Sequence, residues 1–263
     1  MNSELSRSVR LIARLDVKGT NLVKPVRFEG LRSLGPPNQF ARKYYDDGAD
    51  ELLYIDVVAS LYNREHLADL LQEVTKDVFV PITVGGGVRS VEDVRRLLTA
   101  GADKVAMNTA AVKDPNLIRS VAENFGSQCT VLSLEAKARA PGSWEVYVEG
   151  GREPTGVDVL DWVGQACSLG AGEILLTSID SDGVRRGPDF ELVRAVGKIS
   201  SVPLIASGGI RDGADTARLV QDGSADAVAI GSAVHYGDVT FSSLRADLKS
   251  LGVEVRPFER SSD

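Results

Sequence analysis

The sequence of 263 residues has few of the residues that define disulfide-rich or metal-binding proteins. It contains two cysteines, Cys129 and Cys167, and neither lies in a CxxC motif. A disulfide framework or a structural zinc site is therefore not expected. The two histidines, His66 and His235, do not belong to a cluster of metal ligands. We accordingly expect no metal site, no histidine-based nucleophile triad and no cofactor.

The sequence also lacks an excess of positive charge and a long hydrophobic run. Thirty Lys and Arg residues against 37 Asp and Glu residues give a formal net charge of −7. Broad electrostatic binding to nucleic acid or to an anionic membrane requires the opposite balance. No apolar run approaches the length of a membrane span, and Arg14 interrupts the short apolar stretch near the N-terminus. We expect a cytoplasmic protein with neither a nucleic-acid nor a membrane partner.

Short apolar runs recur along the whole chain, and each is followed by a segment of helical periodicity. Because most runs are rich in Val, Ile and Leu without polar alternation, they resemble strands buried on both faces of a parallel sheet. Eight such units in about 250 residues are typical of a closed barrel. No Pro/Gly/Ser-rich linker divides the chain. The pattern predicts an α/β protein, a single (β/α)8 TIM barrel spanning residues 1–263, with a long loop or small hairpin in the turn-rich segment from Ala138.

The two halves of the sequence repeat each other. The segment VGGGVRSVEDVRRLLTAGADKVAMNTA from Val84 matches ASGGIRDGADTARLVQDGSADAVAIGSA from Ala206, with Gly86 and Gly208 122 positions apart. GADELLYID and GAGEILLTS repeat at the same offset, and RLDVK matches SLEAK. A duplicated and fused half-barrel explains these matches.

Glycine and small polar residues end four of the predicted strands, in two sets related by the repeat. In a barrel these positions lie at the carboxyl face, where active sites are built. Glycine lets backbone N–H groups approach a phosphate, and a nearby hydroxyl or amide completes an anion site. The first set is Gly86, Gly87, Asn108 and Thr109, and the second is Ser207, Gly208, Gly209, Gly231 and Ser232. Two such sites half a barrel apart predict one elongated substrate with two phosphates.

Two carboxylates also end predicted strands. Asp16 ends the first strand and Glu135 the fifth, so we expect them to face each other across the mouth of the barrel. Paired carboxylates in different environments can divide the roles of acid and base. Asp182, after the sixth strand, adds a further polar group at the same face.

The opposite end of the barrel carries charged residues where apolar ones would be ordinary. Four strands begin with an ionisable side chain, and these are Arg10, Glu51, Lys104 and Glu173. Two acids and two bases at this level predict a closed ring of salt bridges across the barrel floor. A ring of this kind is only weak evidence for a purely stabilising role.

The sequence resembles the cyclase subunit of imidazole glycerol phosphate synthase, an enzyme of histidine biosynthesis. The resemblance runs from about Val9 to about Arg256 and rests on the segments LDVK, GADEL, TVGGGVRSVEDVRRLLTAGADKV, NTAAV, FGSQC, GAGEILLTSIDSDG, IASGG and HYG. It implies that ammonia from a glutaminase subunit, docked at the N-terminal face of the barrel, passes through the barrel. The ammonia reacts with a bisphosphorylated phosphoribulosyl-formimino intermediate to give imidazole glycerol phosphate and aminoimidazole carboxamide ribonucleotide.

The resemblance also implies roles for individual residues. The catalytic pair falls on Asp16 and Glu135, and the charged gate for ammonia falls on the four residues of the predicted floor ring. The implied phosphate and substrate contacts are Lys24, Gly86, Gly87, Asn108, Thr109, Asp182, Gly183, Ser207, Gly208, Gly209, Gly231 and Ser232.

Several positions near the barrel mouth depart from the family pattern. Glu135 stands in place of an aspartate, Arg14 in place of a cysteine, Pro25 in place of a glycine, and Val184 in place of a threonine. Because catalytic geometry tolerates little displacement, the change at Glu135 is not neutral. These departures leave open a second function, that of a cyclase-like paralogue supplying ammonia for acetamidino modification of surface-polysaccharide sugars. In that case we expect Arg14, on the first strand close to Asp16, to pair with Glu135 and to lower the pKa of its carboxyl.

Two further functions fit the sequence less well. A catalytically silent barrel that only activates a glutaminase would not need Asp16 and two phosphate sites. The sister isomerase of the same pathway shares the half-barrel symmetry, but it uses no ammonia and has no need of a charged floor.

Overall fold

The computed structural model describes residues 8–58 and 65–258 of the chain, and the side chain of His66 lies outside the described part. The strands are β1 Arg10–Lys18, β2 Asn21–Val26, β3 Glu29–Gly35, β4 Glu51–Asp56, β5 Ile82–Gly85, β6 Lys104–Met107, β7 Thr130–Ala140, β8 Ser143–Val148, β9 Glu153–Asp158, β10 Glu173–Ser178, β11 Leu204–Ser207 and β12 Ala227–Ile230. The helices are α1 Pro37–Asp46, α2 Glu65–Val74, α3 Val91–Thr99, α4 Thr109–Lys113, α5 Asn116–Phe125, α6 Val159–Ser168, α7 Phe190–Ile199, α8 Gly213–Gln221, α9 Ser232–His235 and α10 Phe241–Ser250.

Eight of the strands form a closed parallel barrel. Their order is β1, β4, β5, β6, β7, β10, β11 and β12, and β12 pairs with β1. These are the eight apolar runs read from the sequence, so the predicted (β/α)8 fold is confirmed. The assignment of residues 1–263 to one domain stays a prediction, since it includes residues outside the described part.

Antiparallel strands extend the barrel wall at its carboxyl end in two places. β2 and β3 form a hairpin that continues from β1, with Val17 opposite Leu22. β8 and β9 continue from β7 in the same way. The β2–β3 hairpin was not predicted, and the segment from Ala138 is a set of paired strands and not a long loop. The small hairpin suggested for that segment is therefore confirmed.

Side chains on the two faces of the barrel wall belong to two separate apolar clusters. On β1, Leu11, Ala13 and Leu15 pack outward against the helices. Ile12 points inward and belongs to the inner apolar cluster with Leu53, Ile55, Ala106, Val131, Leu175, Ile205, Ala227 and Ala229. The alternation of strand side chains places Arg10, Ile12, Arg14 and Asp16 on the same inward face.

The duplication seen in the sequence is present in the hydrogen bonds. Asp103 accepts a hydrogen bond from the Ile82 backbone N–H at 2.8 Å. Asp226 accepts the equivalent bond from Leu204 at 2.9 Å. In each half, therefore, an aspartate that lies just before one barrel strand accepts a hydrogen bond from the first residue of the barrel strand before it.

Candidate active site

A chain of four buried charges lies at the carboxyl end of β1. The Nε of Arg14 donates to Oδ1 of Asp16 at 2.9 Å, and Nζ of Lys24 lies 3.1 Å from Oδ2 of the same carboxylate. Lys24 also contacts Asp182 at 3.1 Å. Burial alone would raise the pKa of Asp16, but the charges of Arg14 and Lys24 outweigh burial and lower it to about 2. Asp16 is therefore a permanent anion near neutral pH.

Glu135 has the opposite electrostatic character. Its side chain is buried, and Oε2 has no hydrogen-bond partner among the described residues. Burial raises its pKa from 4.5 to about 7, although the charge of Arg14 and a hydrogen bond from the Gly151 backbone both act to lower it. A carboxyl with this pKa can both give and accept a proton near neutral pH.

The expected pairing of Arg14 with Glu135, with a lowered pKa for that carboxyl, is wrong. Arg14 binds Asp16, and its Nη1 donates to the hydroxyls of Thr177 at 2.9 Å and Ser207 at 3.0 Å. Asp16 lies two residues after Arg14 on the same inward face of β1, so the guanidinium forms its ion pair with Asp16 and not with Glu135. The charge of Arg14 still acts to lower the pKa of Glu135, but burial has the larger effect and raises it.

The first glycine set lines a cavity of about 370 Å³ beside Glu135. Asn108 donates from Nδ2 to the carbonyl of Tyr147 at 3.1 Å, and the Thr109 hydroxyl accepts from the Glu149 N–H at 3.0 Å. The turn between β8 and β9 is thus tied to this set. Basic side chains that surround the cavity are Arg89, Lys113 and Arg152. Lys113 forms a salt bridge with Glu149, so a phosphate here would meet the glycine backbone, small polar side chains and the guanidinium groups of Arg89 and Arg152.

The second glycine set lines a separate cavity of about 20 Å³. Ser207, Gly208, Gly209, Gly231 and Ser232 all border this space, together with Arg14, Asp182, Gly183 and Arg185. The structure therefore gathers each predicted set into its own cavity, and the two cavities differ greatly in size.

Two equivalent glycines, one from each set, have a conformation that other residues rarely adopt. Gly86 has a φ of 100° and Gly208 a φ of 99°. A Cβ on Gly86 would collide with the backbone of Asp56, and a Cβ on Gly208 would lie 2.7 Å from the Ser178 carbonyl oxygen. Asp56 and Ser178 are themselves 122 positions apart, so both glycines fulfil the same backbone requirement in the two halves.

The β2–β3 hairpin folds over the mouth between the two cavities. Lys24 of this hairpin is the buried residue that reaches Asp16 and Asp182, and the Arg27 N–H donates to the Asp182 carbonyl at 2.9 Å. Pro25 and Phe28 line the larger cavity. A ligand that reaches both cavities would run beneath this hairpin or displace it.

The four charged residues at the barrel floor form a closed ring. Arg10 donates to Oε1 of Glu51 at 2.6 Å and to Oε1 of Glu173 at 2.5 Å. Lys104 bridges the remaining oxygens, at 3.1 Å to Glu51 and 2.8 Å to Glu173. Each acid thus contacts both bases, as the positions of these residues predict.

The sequence reasoning missed two components of the mouth. Arg14 was expected to pair with Glu135 and not with Asp16, although its place two residues before Asp16 puts both on one strand face. His235 was set aside, yet its Nδ1 lies 2.6 Å from the Tyr44 hydroxyl. Burial and the charge of Lys24 lower the pKa of His235 to about 4, so it is neutral.

Two negative findings concern metals and membranes. Within residues 8–58 and 65–258, no group of three His, Cys, Asp or Glu side chains is placed to hold a metal ion. None of the helices in the described part of the chain has the length and hydrophobicity needed to cross a bilayer.

Comparison with known proteins gives a consistent result. A family model described as "Histidine biosynthesis protein" matches residues 10–240. The chain is 58% identical over 203 residues to "Imidazole glycerol phosphate synthase subunit HisF" of Legionella pneumophila, covering 77% of this chain and 96% of the relative. It is 50% identical to the protein of the same name from Thermobifida fusca, covering 96% of this chain and 100% of that relative. A third protein of this name, from Myxococcus xanthus, is 47% identical over 94% of this chain and 97% of its own length.

Proposed function

The chain belongs to the histidine biosynthesis protein family, and we propose that it is the cyclase subunit of an imidazole glycerol phosphate synthase. In this role it combines ammonia with the phosphoribulosyl-formimino intermediate and releases imidazole glycerol phosphate and aminoimidazole carboxamide ribonucleotide. We also propose that residues 1–263 act as one domain in the cytoplasm.

The observation that supports this chemistry best is the pair of carboxylates at the mouth. Asp16 is held as an anion by two cations, whereas Glu135 is buried with a pKa of about 7. Two carboxyl groups whose pKa values are shifted in opposite directions commonly take separate roles in proton transfer. A condensation with ammonia followed by ring closure needs such a division.

The proposed roles follow from these environments. Attack by neutral ammonia on a carbon centre leaves a positively charged nitrogen, which the Asp16 anion stabilises. Glu135 removes and returns protons as bonds to nitrogen and oxygen form and break. Lys24 holds Asp16 and Asp182 in place from the β2–β3 hairpin.

The substrate contacts remain proposals that rest on the two cavities. The phosphate at one end of the substrate would bind Gly86, Gly87, Asn108 and Thr109 beside the larger cavity. The other phosphate would bind Gly183, Ser207, Gly208, Gly209, Gly231 and Ser232, next to the ion pair between Lys24 and Asp182. Because Lys24 and Phe28 lie between the two sets, we expect the β2–β3 hairpin to move when the substrate enters.

The partner we propose is a glutaminase subunit docked on the N-terminal face of the barrel. A depression of about 840 Å³ on this face is lined in part by Arg10, Lys104 and Glu173 of the floor ring. Phe79, just before β5, is 76% exposed, and Ile199 at the end of α7 is 43% exposed. Exposed apolar side chains around a charged opening suit a protein partner that delivers ammonia to the ring.

The acetamidino paralogue is the less favoured alternative. The curated relatives described above carry the synthase name at 47–58% identity. Arg14 and Glu135 are the departures that favoured the paralogue, and both lie in a site that has the two glycine-lined cavities expected of the synthase.

The proposed function is tested by complementation of a histidine auxotroph that lacks the cyclase subunit. Growth without histidine is expected when the chain is expressed with its glutaminase partner, or alone at high ammonium. Failure to grow, with both proteins present in soluble form, would reject the histidine assignment and return the paralogue to consideration.

A further inference from the structure

Arg14 crosses the interior of the barrel at the level of the mouth. It lies on β1, yet its Nη1 reaches Thr177 on β10 and Ser207 on β11, with β12 standing between β1 and β11 in the wall. Its side chain is only 4% exposed. The side chain therefore reaches through the barrel interior from β1 to β10 and β11.

The position of Arg14 is fixed by three hydrogen bonds. Besides the two hydroxyls it binds Asp16 through Nε, so the planar group is held at both ends. Ser207 in turn donates to the Ala229 carbonyl at 3.1 Å. A buried arginine held in this way is a rigid part of the wall and not a mobile side chain.

The inner apolar cluster borders both cavities, but Arg14 stands beside only one of them. Ile55 and Ala106 of the cluster line the 370 Å³ cavity that also contains Ser133 and Glu135. Ala229 of the same cluster lines the 20 Å³ cavity, where Arg14 and Ser207 are its neighbours. A small molecule rising through the cluster thus finds open space toward Glu135 and a hydrogen-bonded arginine toward the second glycine set.

We propose that Arg14 closes the β10–β12 half of the barrel mouth, so that ammonia leaves the inner apolar cluster on the Glu135 side. This inference rests on the proposed function, because it assumes that ammonia rises through the barrel. Arg14 acts here as a positioning residue that selects the exit. Its fixed charge also disfavours ammonium near the exit and leaves neutral ammonia, the nucleophilic form, undisturbed.

The test compares R14A and R14M in the complex with the glutaminase partner. The measured quantity is the imidazole product formed per glutamate released, with glutamine as the nitrogen source. Methionine keeps most of the length of the side chain, whereas alanine opens the wall. We expect R14A to lower the ratio to less than about half of the wild-type value, because closed sites are what prevent such leakage, and R14M to remain above R14A.

The control for slow chemistry is turnover of R14A with an ammonium salt and no glutamine, because external ammonia reaches the mouth without passing the wall. We expect R14A to lose less of this rate than of the glutamine-driven ratio. If R14A lowers the ammonium-driven rate as much as the ratio, the ratio reports slow chemistry and the exit role is overturned. An R14A ratio equal to that of the wild type overturns it as well.

A second measurement separates this inference from the proposed function. If the wild-type chain forms no product from ammonium and the intermediate, the proposed function fails. The exit role is then decided by the crystal structure of R14A. A gap joining the inner apolar cluster to the second glycine set would support it, and a wall closed by Thr177 and Ser207 alone would reject it.

Discussion

Asp16 and Glu135 are both buried at the mouth of the barrel, but their carboxyl pKa values are displaced in opposite directions, to about 2 and about 7. The difference comes from their partners. Asp16 contacts two cations through its two oxygens, whereas Oε2 of Glu135 has no partner among the described residues. One residue is therefore a fixed charge and the other is able to exchange protons.

Asp16→Asn should lower ammonia-dependent kcat about 10²-fold or more, because the fixed anion that stabilises positive charge is lost. The fold should persist, since Lys24 keeps Asp182 and Arg14 keeps its two hydroxyl partners. Turnover with ammonium salts and circular dichroism spectra are the measurements. A variant that retains more than about a tenth of wild-type kcat would remove Asp16 from the catalytic pair.

The free energy of unfolding of Glu135→Gln, relative to that of the wild type, should increase as the pH rises. The folded-state pKa of Glu135 is raised above its ordinary value of 4.5, so the folded protein holds a proton that the unfolded chain has lost between pH 4.5 and about 7. Wild-type stability therefore falls through this window by an amount of the order of 3 kcal/mol, and glutamine, which mimics the protonated form, avoids the loss. Urea unfolding of both proteins at pH 5 and pH 8 measures this difference in stability.

The control for that experiment is Glu92→Gln, whose side chain is 80% exposed. Its stability relative to wild type should not change between the two pH values. The same absence of change in Glu135→Gln would show that Glu135 is ionised throughout and would exclude it as the proton-exchanging group.

Arg10→Ala should reduce glutamine-driven product formation about tenfold more than ammonia-driven formation, because a gate selects what passes whereas external ammonia reaches the mouth directly. The variant leaves Glu51 and Glu173 with Lys104 as their shared base. Steady-state rates with each nitrogen source give the ratio. Arg42→Ala, which removes an exposed salt bridge with Asp46, is the control. An equal loss with both nitrogen sources would mean that the ring only stabilises the fold.

Ser232→Ala should raise KM for the bisphosphorylated substrate about tenfold with little change in kcat, since a hydroxyl-to-phosphate bond contributes about 1.5 kcal/mol. Thr109→Val should raise KM further, because its hydroxyl also holds the Glu149 N–H. An exposed threonine, Thr99, provides the Thr99→Val control. Unchanged KM in both site variants would argue against two phosphate cradles.

Most of the barrel could be predicted because strands buried on both faces are continuous apolar runs. The glycine sets could be predicted because the duplication repeats the same backbone requirement at Gly86 and Gly208. The β2–β3 hairpin could not, since its residues carry mixed polarity and two of them, Arg27 and Phe28, take a positive φ without being glycine. Local sequence gives no signal for such a turn.

The arrangement of charges around Arg14 was the least predictable part of the site. Pairing with Glu135 assumed that the two mouth carboxylates compete equally for the guanidinium. On the strand, however, Asp16 is the neighbour on the same inward face, and Thr177 and Ser207 supply the remaining acceptors. Contacts of this kind depend on the closure of the barrel, which brings residues 163 and 193 positions apart within hydrogen-bond distance.

The most direct test is to mix the purified chain with an ammonium salt and the phosphoribulosyl-formimino intermediate, without a glutaminase, and to follow both products. We expect imidazole glycerol phosphate and aminoimidazole carboxamide ribonucleotide to appear in equal amounts, and to be lost in Asp16→Asn. An intermediate that remains unchanged in the presence of folded wild-type protein would contradict the assignment of this barrel as the cyclase.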